Sequence, residues 1–184
     1  PTNDPDRPVF RFLRNIAAAP KPLIAAVTGN AVGVGTTMLL HCDLVYAGEG
    51  ARFQLPFVTL ALCPEAASSL LLPRLAGHQR AAELLFFGEP FGADKAREIG
   101  IANAVLPDAG VLAHAQERAR KLATLPAASL RETKRLMKQS VAALVPQVMQ
   151  DEGEIFKRQL ASPAAKEAFA AFLAKRKPDF SKFR

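Results

Sequence analysis

Residues 21–35 read KPLIAAVTGNAVGVG, and the interpretation of the whole chain starts from this stretch. Its apolar run, 23–27, lies between a proline and a Thr-Gly-Asn turn, which is the pattern of a buried strand that ends in a turn. Gly33 and Gly35 then flank a single valine, and the apolar residues 36–42 predict a short buried helix. Glycines in such a turn let the backbone approach a ligand closely and direct an N–H group outward at a helix start.

The spacing of the Gly-Val-Gly turn allows two interpretations. The turn does not continue as a dinucleotide-binding motif, because position 38 is Met38, and no Gly-Lys-Ser/Thr follows for a phosphate loop. It is therefore either a tight strand-to-helix connection or an oxyanion hole, in which a backbone N–H binds a developing negative charge. Spacing alone leaves both interpretations open.

The composition limits the class of protein. The chain has 184 residues, of which 49% are hydrophobic and 22% charged, as in an ordinary globular domain. No apolar run approaches the ~20 residues of a membrane span, and residues 1–8 do not resemble a secretory signal. Cys42 and Cys63 are too far apart for a CxxC pair, so we expect buried free thiols in a reducing compartment. These features predict a cytoplasmic protein that is not bound to a membrane.

The formal net charge of +7 suits nucleic acid, a membrane surface or a phosphorylated ligand. The basic residues are concentrated in helical stretches such as 131–138, where they alternate with apolar residues. The chain has one tyrosine, no tryptophan and no basic strand with interleaved aromatic residues. This pattern favours a solvated helix face, with a polyphosphate ligand as the functional alternative, over nucleic-acid binding.

The alternation of strands and helices ends near residue 106. Before that point the patterns predict strands over 23–27, 43–47, 52–55, 58–62 and 101–106. They predict helices there over 9–19, from 63, over 78–87 and over 93–98. Beyond it they predict four helices, roughly over 109–124, 127–144, 147–160 and 163–176. We therefore expect an α/β core over 1–106 and a helical region over 107–184.

Glu65 is the main candidate for a catalytic acidic residue. It follows Pro64, which we predict to lie near the first position of a helix, and its other neighbours are apolar. An acid there either stabilises the helix dipole or, with its pKa raised by apolar surroundings, serves as a general base. His41, His78 and His114 share no ligand spacing, so we expect no metal site.

Several separated motifs resemble the crotonase (enoyl-CoA hydratase/isomerase) superfamily. Besides 21–35 they are CDLVYA at 42–47, LPRLAG at 72–77, AREIGIANAV at 96–105 and FLAKRKPDF at 172–180. The resemblance implies an α/β spiral of ββα units with a C-terminal helical trimerisation region, assembled as a homotrimer or a dimer of trimers. It also implies a segment before Pro1 that carries the second oxyanion N–H, so we expect the α/β core to be truncated at its N-terminus.

The same resemblance assigns roles to residues of this chain. The N–H of Val34 corresponds to one oxyanion donor, and Ala31, Gly33 and Gly35 form the substrate-binding turn around it. Lys175 corresponds to a C-terminal residue that reaches the CoA of a neighbouring subunit. The implied ligand is the acyl-CoA substrate itself, without a separate cofactor, a metal or a nucleic acid.

The acids of the chain imply a particular reaction. Hydratases of the family use two glutamates, and the corresponding positions here are Thr37 and Phe57. The Pro-Phe pair, followed by Pro64 and a single Glu65, resembles the peroxisomal-type Δ3,Δ2-enoyl-CoA isomerase branch. That likeness implies migration of a double bond from C3 to C2 of an enoyl-CoA, with Glu65 as the base and with Phe57 and Pro64 at the substrate.

Two alternatives remain beside the isomerase. One is an enoyl-CoA hydratase or another acyl-CoA lyase of the same family that uses different groups. The other is a non-catalytic CoA-binding or scaffold protein, since family members without both hydratase acids exist.

Overall fold

The computed structural model describes residues 8–183 of the chain. Residues 1–7 lie outside the described residues. The prediction that residues 1–8 are not a secretory signal therefore falls almost entirely outside them. Helices in the described part are α1 (Pro8–Ala18), α2 (Val34–Thr37), α3 (Ser68–Ala76), α4 (His78–Phe87), α5 (Ala93–Glu98), α6 (Val111–Ala123), α7 (Ala127–Lys138), α8 (Leu144–Leu160) and α9 (Pro163–Leu173). Strands are β1 (Ile24–Val27), β2 (Asn30–Val32), β3 (Leu44–Gly48), β4 (Arg52–Gln54), β5 (Phe91–Gly92) and β6 (Ala104–Leu106). Short 3₁₀ turns cover Met38–His41, Val58–Leu60, Asp108–Gly110, Gln139–Val141 and Ser181–Phe183.

The strands divide between two small sheets. One sheet is parallel, in the order β1-β3-β6. In the other, β2 pairs parallel with β4, and β4 pairs antiparallel with β5. Strands β1 to β4 thus alternate between the two sheets, and a strand from each sheet followed by a helix repeats as β1-β2-α2 and β3-β4-α3. This is the predicted α/β arrangement of ββα units.

The main apolar core joins both sheets to helices α3, α4 and α5. At its centre the ring of Phe53, which is fully buried, stacks on Phe91 with a centroid distance of 5.6 Å. A smaller cluster joins Tyr46 of β3 to Val111 and Ala115 of α6. Because α6 packs on the parallel sheet, the helical region continues the packing of the core, and a division at residue 106 stays a prediction.

Most predicted elements are confirmed, including the four C-terminal helices, and no strand follows Leu106 within residues 8–183. Two predicted elements are wrong, and both flank Glu65. The segment 58–62 is a 3₁₀ turn that ends at Ala61 with φ of 57°, although its apolar run resembles a strand. Helix α3 begins at Ser68 and not near Pro64, because Ala66 and Ala67 have left-handed φ values of 59° and 55°.

Two further findings concern the membrane and the cysteines. Across residues 8–183, none of the helices combines the length and the apolar character that a bilayer span needs. Cys42 and Cys63 are free and only half-buried, and burial raises the pKa of both thiols. The thiols are therefore partly exposed where we expected complete burial.

A buried ion pair fixes α7 against the start of β1 and β3. The Nζ of Lys134 donates to Asp43 Oδ2 at 2.6 Å and to the carbonyl of Lys21 at 2.8 Å, and Lys134 is 6% exposed. The same Asp43 oxygen accepts the N–H of Leu23 at 2.7 Å. The prediction of a solvated basic face over 131–138 is therefore wrong at Lys134, whose partner is 91 residues away in sequence.

The Lys134→Met variant tests this pair. Removal of the ammonium leaves the Asp43 carboxylate half-buried without its cation, so we expect the free energy of unfolding to fall by about 3 kcal/mol. Arg135→Met is the matched control, since Arg135 is 60% exposed and pairs with exposed Glu132, and its loss costs less than about 1 kcal/mol. Urea unfolding measures both variants, and equal losses would contradict the assignment.

Candidate active site

The predicted oxyanion turn connects β2 to α2. Ala31 and Val32, which we predicted as the first residues of this turn, belong instead to strand Asn30–Val32. Gly33 has φ of 56° and ψ of −117°, a conformation that residues with a Cβ rarely adopt. Its N–H donates to the carbonyl of Gln54 at 2.9 Å, and its carbonyl accepts the N–H groups of Thr36 and Thr37 at 2.9 and 3.0 Å. Contacts with β4 and with α2 thus hold the turn from two sides.

Val34 is the first residue of α2. Within residues 8–183 its N–H has no hydrogen-bond acceptor, and the residue is 41% exposed. The first N–H groups of a helix lack partners inside the helix and carry a partial positive charge. An outward N–H of this kind suits a developing oxyanion, which agrees with the predicted role of Val34.

Thr36 and Ala31 support the turn from the protein interior. The Thr36 hydroxyl donates to the carbonyl of Ala31 at 2.5 Å and is fully buried. Ala31 is 6% exposed and its side chain belongs to the core. The predicted contact of Ala31 with substrate would therefore involve its backbone atoms. A Cβ on Gly35 would lie 3.8 Å from that of Ala31, an ordinary contact, so packing does not require a glycine at position 35.

Glu65 lies in an irregular segment ahead of α3. Its Oε1 accepts the hydroxyl of Thr37, the last residue of α2, at 2.5 Å, and Thr37 is fully buried. With a rise of about 1.5 Å per residue, Val34 and Thr37 are about 4.5 Å apart along the helix axis. The unpartnered N–H of Val34 and the Thr37 hydroxyl that binds the Glu65 carboxylate therefore lie within one turn of α2.

The surroundings of Glu65 raise the pKa of its carboxyl. Burial is the largest cause, the nearby negative charge of Glu152 adds to it, and the hydrogen bond from Thr37 opposes it. A carboxylate with a raised pKa accepts and returns a proton more readily near neutral pH. The alternative that Glu65 stabilises a helix dipole is wrong, because α3 begins three residues later at Ser68.

Glu152, on α8, belongs to this neighbourhood and is absent from the residues that we predicted. It is 5% exposed, and its carboxylate accepts the N–H of Ala67 at 2.6 Å and the N–H of Ser69 at 3.0 Å. Its third bond is to the hydroxyl of Ser69 at 2.5 Å. One sequence signal was available: Glu152 lies four residues from both Val148 and Phe156, so an acid interrupts an apolar helix face.

The other predicted site residues occupy different surroundings. Phe57 is 5% exposed in the core, where it shapes the segment that leads to Pro64 and Glu65. Lys175 lies on an exposed turn after α9 with φ of 51°, and no hydrogen bond or ion pair within residues 8–183 joins it to Glu65 or Val34. The described part of the chain has no group of three or more His, Cys, Asp or Glu residues that could hold a metal ion.

Comparisons with known proteins identify the family of the chain. A family model described as enoyl-CoA hydratase/isomerase matches residues 2–183. The chain is 37% identical over 160 residues to a 2,3-dehydroadipyl-CoA hydratase of Escherichia coli K12, covering 87% of this chain and 63% of that protein. It is 36% identical over 189 residues to a 1,2-epoxyphenylacetyl-CoA isomerase of the same organism, covering 98% and 71%. It is 34% identical over 167 residues to enoyl-CoA delta isomerase 2 of Rattus norvegicus, covering 91% and 42%.

A solved structure supports the fold. The crystal structure of an enoyl-CoA hydratase/isomerase from Pseudoalteromonas atlantica T6c superposes with a TM-score of 0.92 at 42% identity. The match covers 97% of this chain and 73% of that one. Among the three curated relatives the chain spans between 42% and 71% of their lengths, and their names include both a hydratase and isomerases.

The Thr37→Val variant tests the hydrogen bond to Glu65. Valine keeps the shape but removes the hydroxyl that favours the charged carboxylate, so we expect the pKa of Glu65 to rise. Carbon-13 NMR titration of the glutamate carboxyl groups measures it. The control is Thr59→Val, whose exposed hydroxyl donates only to the carbonyl of Pro56. An unchanged or lowered pKa in Thr37→Val would show that the hydroxyl does not act on this carboxylate.

Proposed function

The chain belongs to the enoyl-CoA hydratase/isomerase family, and on that premise we propose that it moves a double bond from C3 to C2 of an enoyl-CoA. Glu65 is the acid–base residue of this reaction. The proposal rests above all on the 2.5 Å hydrogen bond between Thr37 and Glu65. It joins a carboxylate of raised pKa to the helix whose first N–H is free to bind an oxyanion.

The reaction needs one base that acts twice. Glu65 removes a proton from C2, and the electrons of that C–H bond form a dienolate whose negative charge lies on the thioester oxygen. Glu65 then delivers the same proton to C4, the C2=C3 bond forms and the thioester carbonyl is restored. No water and no second proton donor enters, so a single carboxylate is sufficient.

Val34 supplies the electrostatic part of the mechanism. Its N–H binds the thioester oxygen as that oxygen gains charge, and one such donor typically contributes about 3–4 kcal/mol to the transition state. The conformation of Gly33 directs this N–H outward. The Thr36 hydroxyl, which donates to Ala31, and the Gln54 carbonyl, which accepts the N–H of Gly33, keep it there before substrate binds.

The acids near Glu65 favour isomerisation over hydration. Hydration needs a group that activates water and a group that delivers a proton. The family resemblance implies that Thr37 and Phe57 correspond to the two hydratase glutamates, and Phe57 is buried and apolar. Glu152 is the other carboxylate that acts on Glu65, and three hydrogen-bond donors already occupy it.

The C-terminal turn supports a further part of the proposal. Lys175 follows Phe172 and Leu173, which are 70% and 80% exposed. Apolar side chains so exposed favour coverage by another subunit, in agreement with a homotrimer or a dimer of trimers. In that assembly Lys175 would reach the CoA phosphates bound by a neighbour, and the substrate thioester brings the only coenzyme.

The Glu65→Gln variant tests the base. Glutamine keeps the size and can still accept the Thr37 hydroxyl, but it cannot take a proton from C2. We therefore expect turnover of trans-3-hexenoyl-CoA to fall by about 10²- to 10⁴-fold. Glu98→Gln is the control, since Glu98 is 53% exposed on α5 and should leave turnover unchanged. Near-normal isomerisation by Glu65→Gln would refute the role of this residue.

A comparison of two substrates tests the reaction class. The unmodified protein should convert trans-3-hexenoyl-CoA to the conjugated 2-enoyl-CoA, measured by the absorbance of the conjugated thioester. It should not hydrate crotonyl-CoA at a comparable rate. Hydration that is faster than isomerisation would favour the hydratase. CoA binding in calorimetry without turnover of either substrate would favour a non-catalytic CoA-binding protein, and absence of CoA binding would favour a scaffold protein.

A further inference from the structure

The residues that follow Glu65 adopt an unfavourable backbone conformation. Ala66 and Ala67 are consecutive and both left-handed, with φ of 59° and 55°. Residues with a Cβ rarely adopt this region, and such a conformation persists only where the surrounding structure holds it. Both alanines are buried. Because this turn comes directly after Glu65, its conformation sets the direction in which the carboxylate leaves the backbone.

Two buried side chains bind the turn: His41, which precedes it in the sequence, and Glu152, which follows it. On the upstream side, His41 Nε2 lies 2.7 Å from the carbonyl of Ala66. Burial lowers the pKa of His41, so the ring is neutral near pH 7 and carries its proton on Nε2 to donate this bond. On the downstream side, Glu152 of α8 accepts the N–H groups of Ala67 and Ser69.

The carboxylate of Glu152 is engaged in hydrogen bonds to this segment. A carboxylate only accepts hydrogen bonds, and it receives three here, two from backbone N–H groups and one from a hydroxyl. The thiol of Cys63 also donates to the backbone carbonyl of Glu152 at 3.5 Å. The segment that carries Glu65 is therefore bonded to α8 on both sides of the acid.

We propose that Glu152 is a positioning residue for Glu65: it holds the left-handed turn at Ala66 and Ala67 and thereby aims the base at the substrate. The inference rests on the proposed function, in which Glu65 removes the C2 proton. The carboxylate of Glu152 binds Ala67 and Ser69, so in this role it acts on the reaction through Glu65.

The charges around Glu65 and Glu152 determine how a substitution at Glu152 changes the ionisation of Glu65. Glu65 meets the Thr37 hydroxyl from α2 and the charge of Glu152 from α8. Around Glu152 lie Cys63 and, farther along α8, Arg158, which acts on that thiol. On the side of Ala66, His41 is neutral and Lys138 of α7 donates to the carbonyl of His41 at 3.2 Å. Loss of the Glu152 charge therefore favours ionisation of Glu65.

The Glu152→Gln variant is the main test. The amide nitrogen cannot accept a bond, so one backbone N–H of the turn loses its partner. We expect kcat for trans-3-hexenoyl-CoA to fall by about 10- to 100-fold while KM changes less than about twofold, because a base displaced by about 1 Å reacts slowly without weakening binding. The acidic limb of the pH profile should move to lower pH. Glu154→Gln, an exposed acid on the same helix, is the matched control and should change neither value.

Two measurements without substrate separate this proposal from the proposed function. Carbon-13 titration should show a lower pKa of Glu65 in Glu152→Gln, and amide hydrogen exchange should be faster at Ala67 or at Ser69, whichever N–H loses its acceptor, than in the Glu154→Gln control. If the unmodified protein does not isomerise the substrate, the proposed function fails, and these two measurements still decide whether Glu152 holds the turn. A variant that loses only thermal stability, with kcat and the pKa of Glu65 unchanged, would overturn the inference.

Ser69→Ala provides a milder variant if Glu152→Gln does not fold. It removes one donor to the carboxylate and keeps the charge in place. We expect kcat to fall by about two- to tenfold with an unchanged KM, in line with the loss of one hydrogen bond. A kcat equal to that of the unmodified protein would overturn the inference.

Discussion

The hydrogen bond from Thr37 to Glu65 joins two segments of the chain that are 28 residues apart, and the candidate site depends on it. One segment is a strand, a glycine turn and a four-residue helix, which together present the N–H of Val34. The other is an irregular stretch that no helix or strand stabilises from within. Because the hydroxyl binds the carboxylate directly, the position of the acid relative to the oxyanion donor follows from the geometry of a single helical turn.

An irregular segment must obtain its rigidity from its neighbours. Here they are a neutral histidine that follows α2 and a buried glutamate on α8, which bind the carbonyl and the N–H of the one peptide group that joins Ala66 to Ala67. Strained backbone of this kind is often found at functional sites, where the surrounding structure keeps it in place. The same burial that fixes the turn also raises the pKa of Glu65, so positioning and proton affinity have a common cause.

Buried charges also connect the helical region to the core. Lys134 of α7 binds Asp43 at the start of β3, and Glu152 of α8 binds the first residues of α3. Removal of Lys134 from its pair with Asp43 leaves an uncompensated charge, whereas an exposed pair such as Arg135 and Glu132 contributes little. Two of the C-terminal helices therefore support the core and the segment of the base.

The strand, the glycine turn and the following helix over 21–41 could be predicted from sequence because local properties determine them: an apolar run, turn residues and the freedom of Gly33 to adopt a positive φ. The resemblance of separated motifs added the fold and the candidate base. Neither the late start of α3 nor the roles of Lys134 and Glu152 could be obtained in this way. The groups that Glu152 and Lys134 bind are 83 to 113 residues distant, and a local pattern contains no information about which distant group will meet a buried charge. Only the tertiary structure decides that, because packing brings those groups together and burial then requires each charge to have an opposite charge or hydrogen-bond partners.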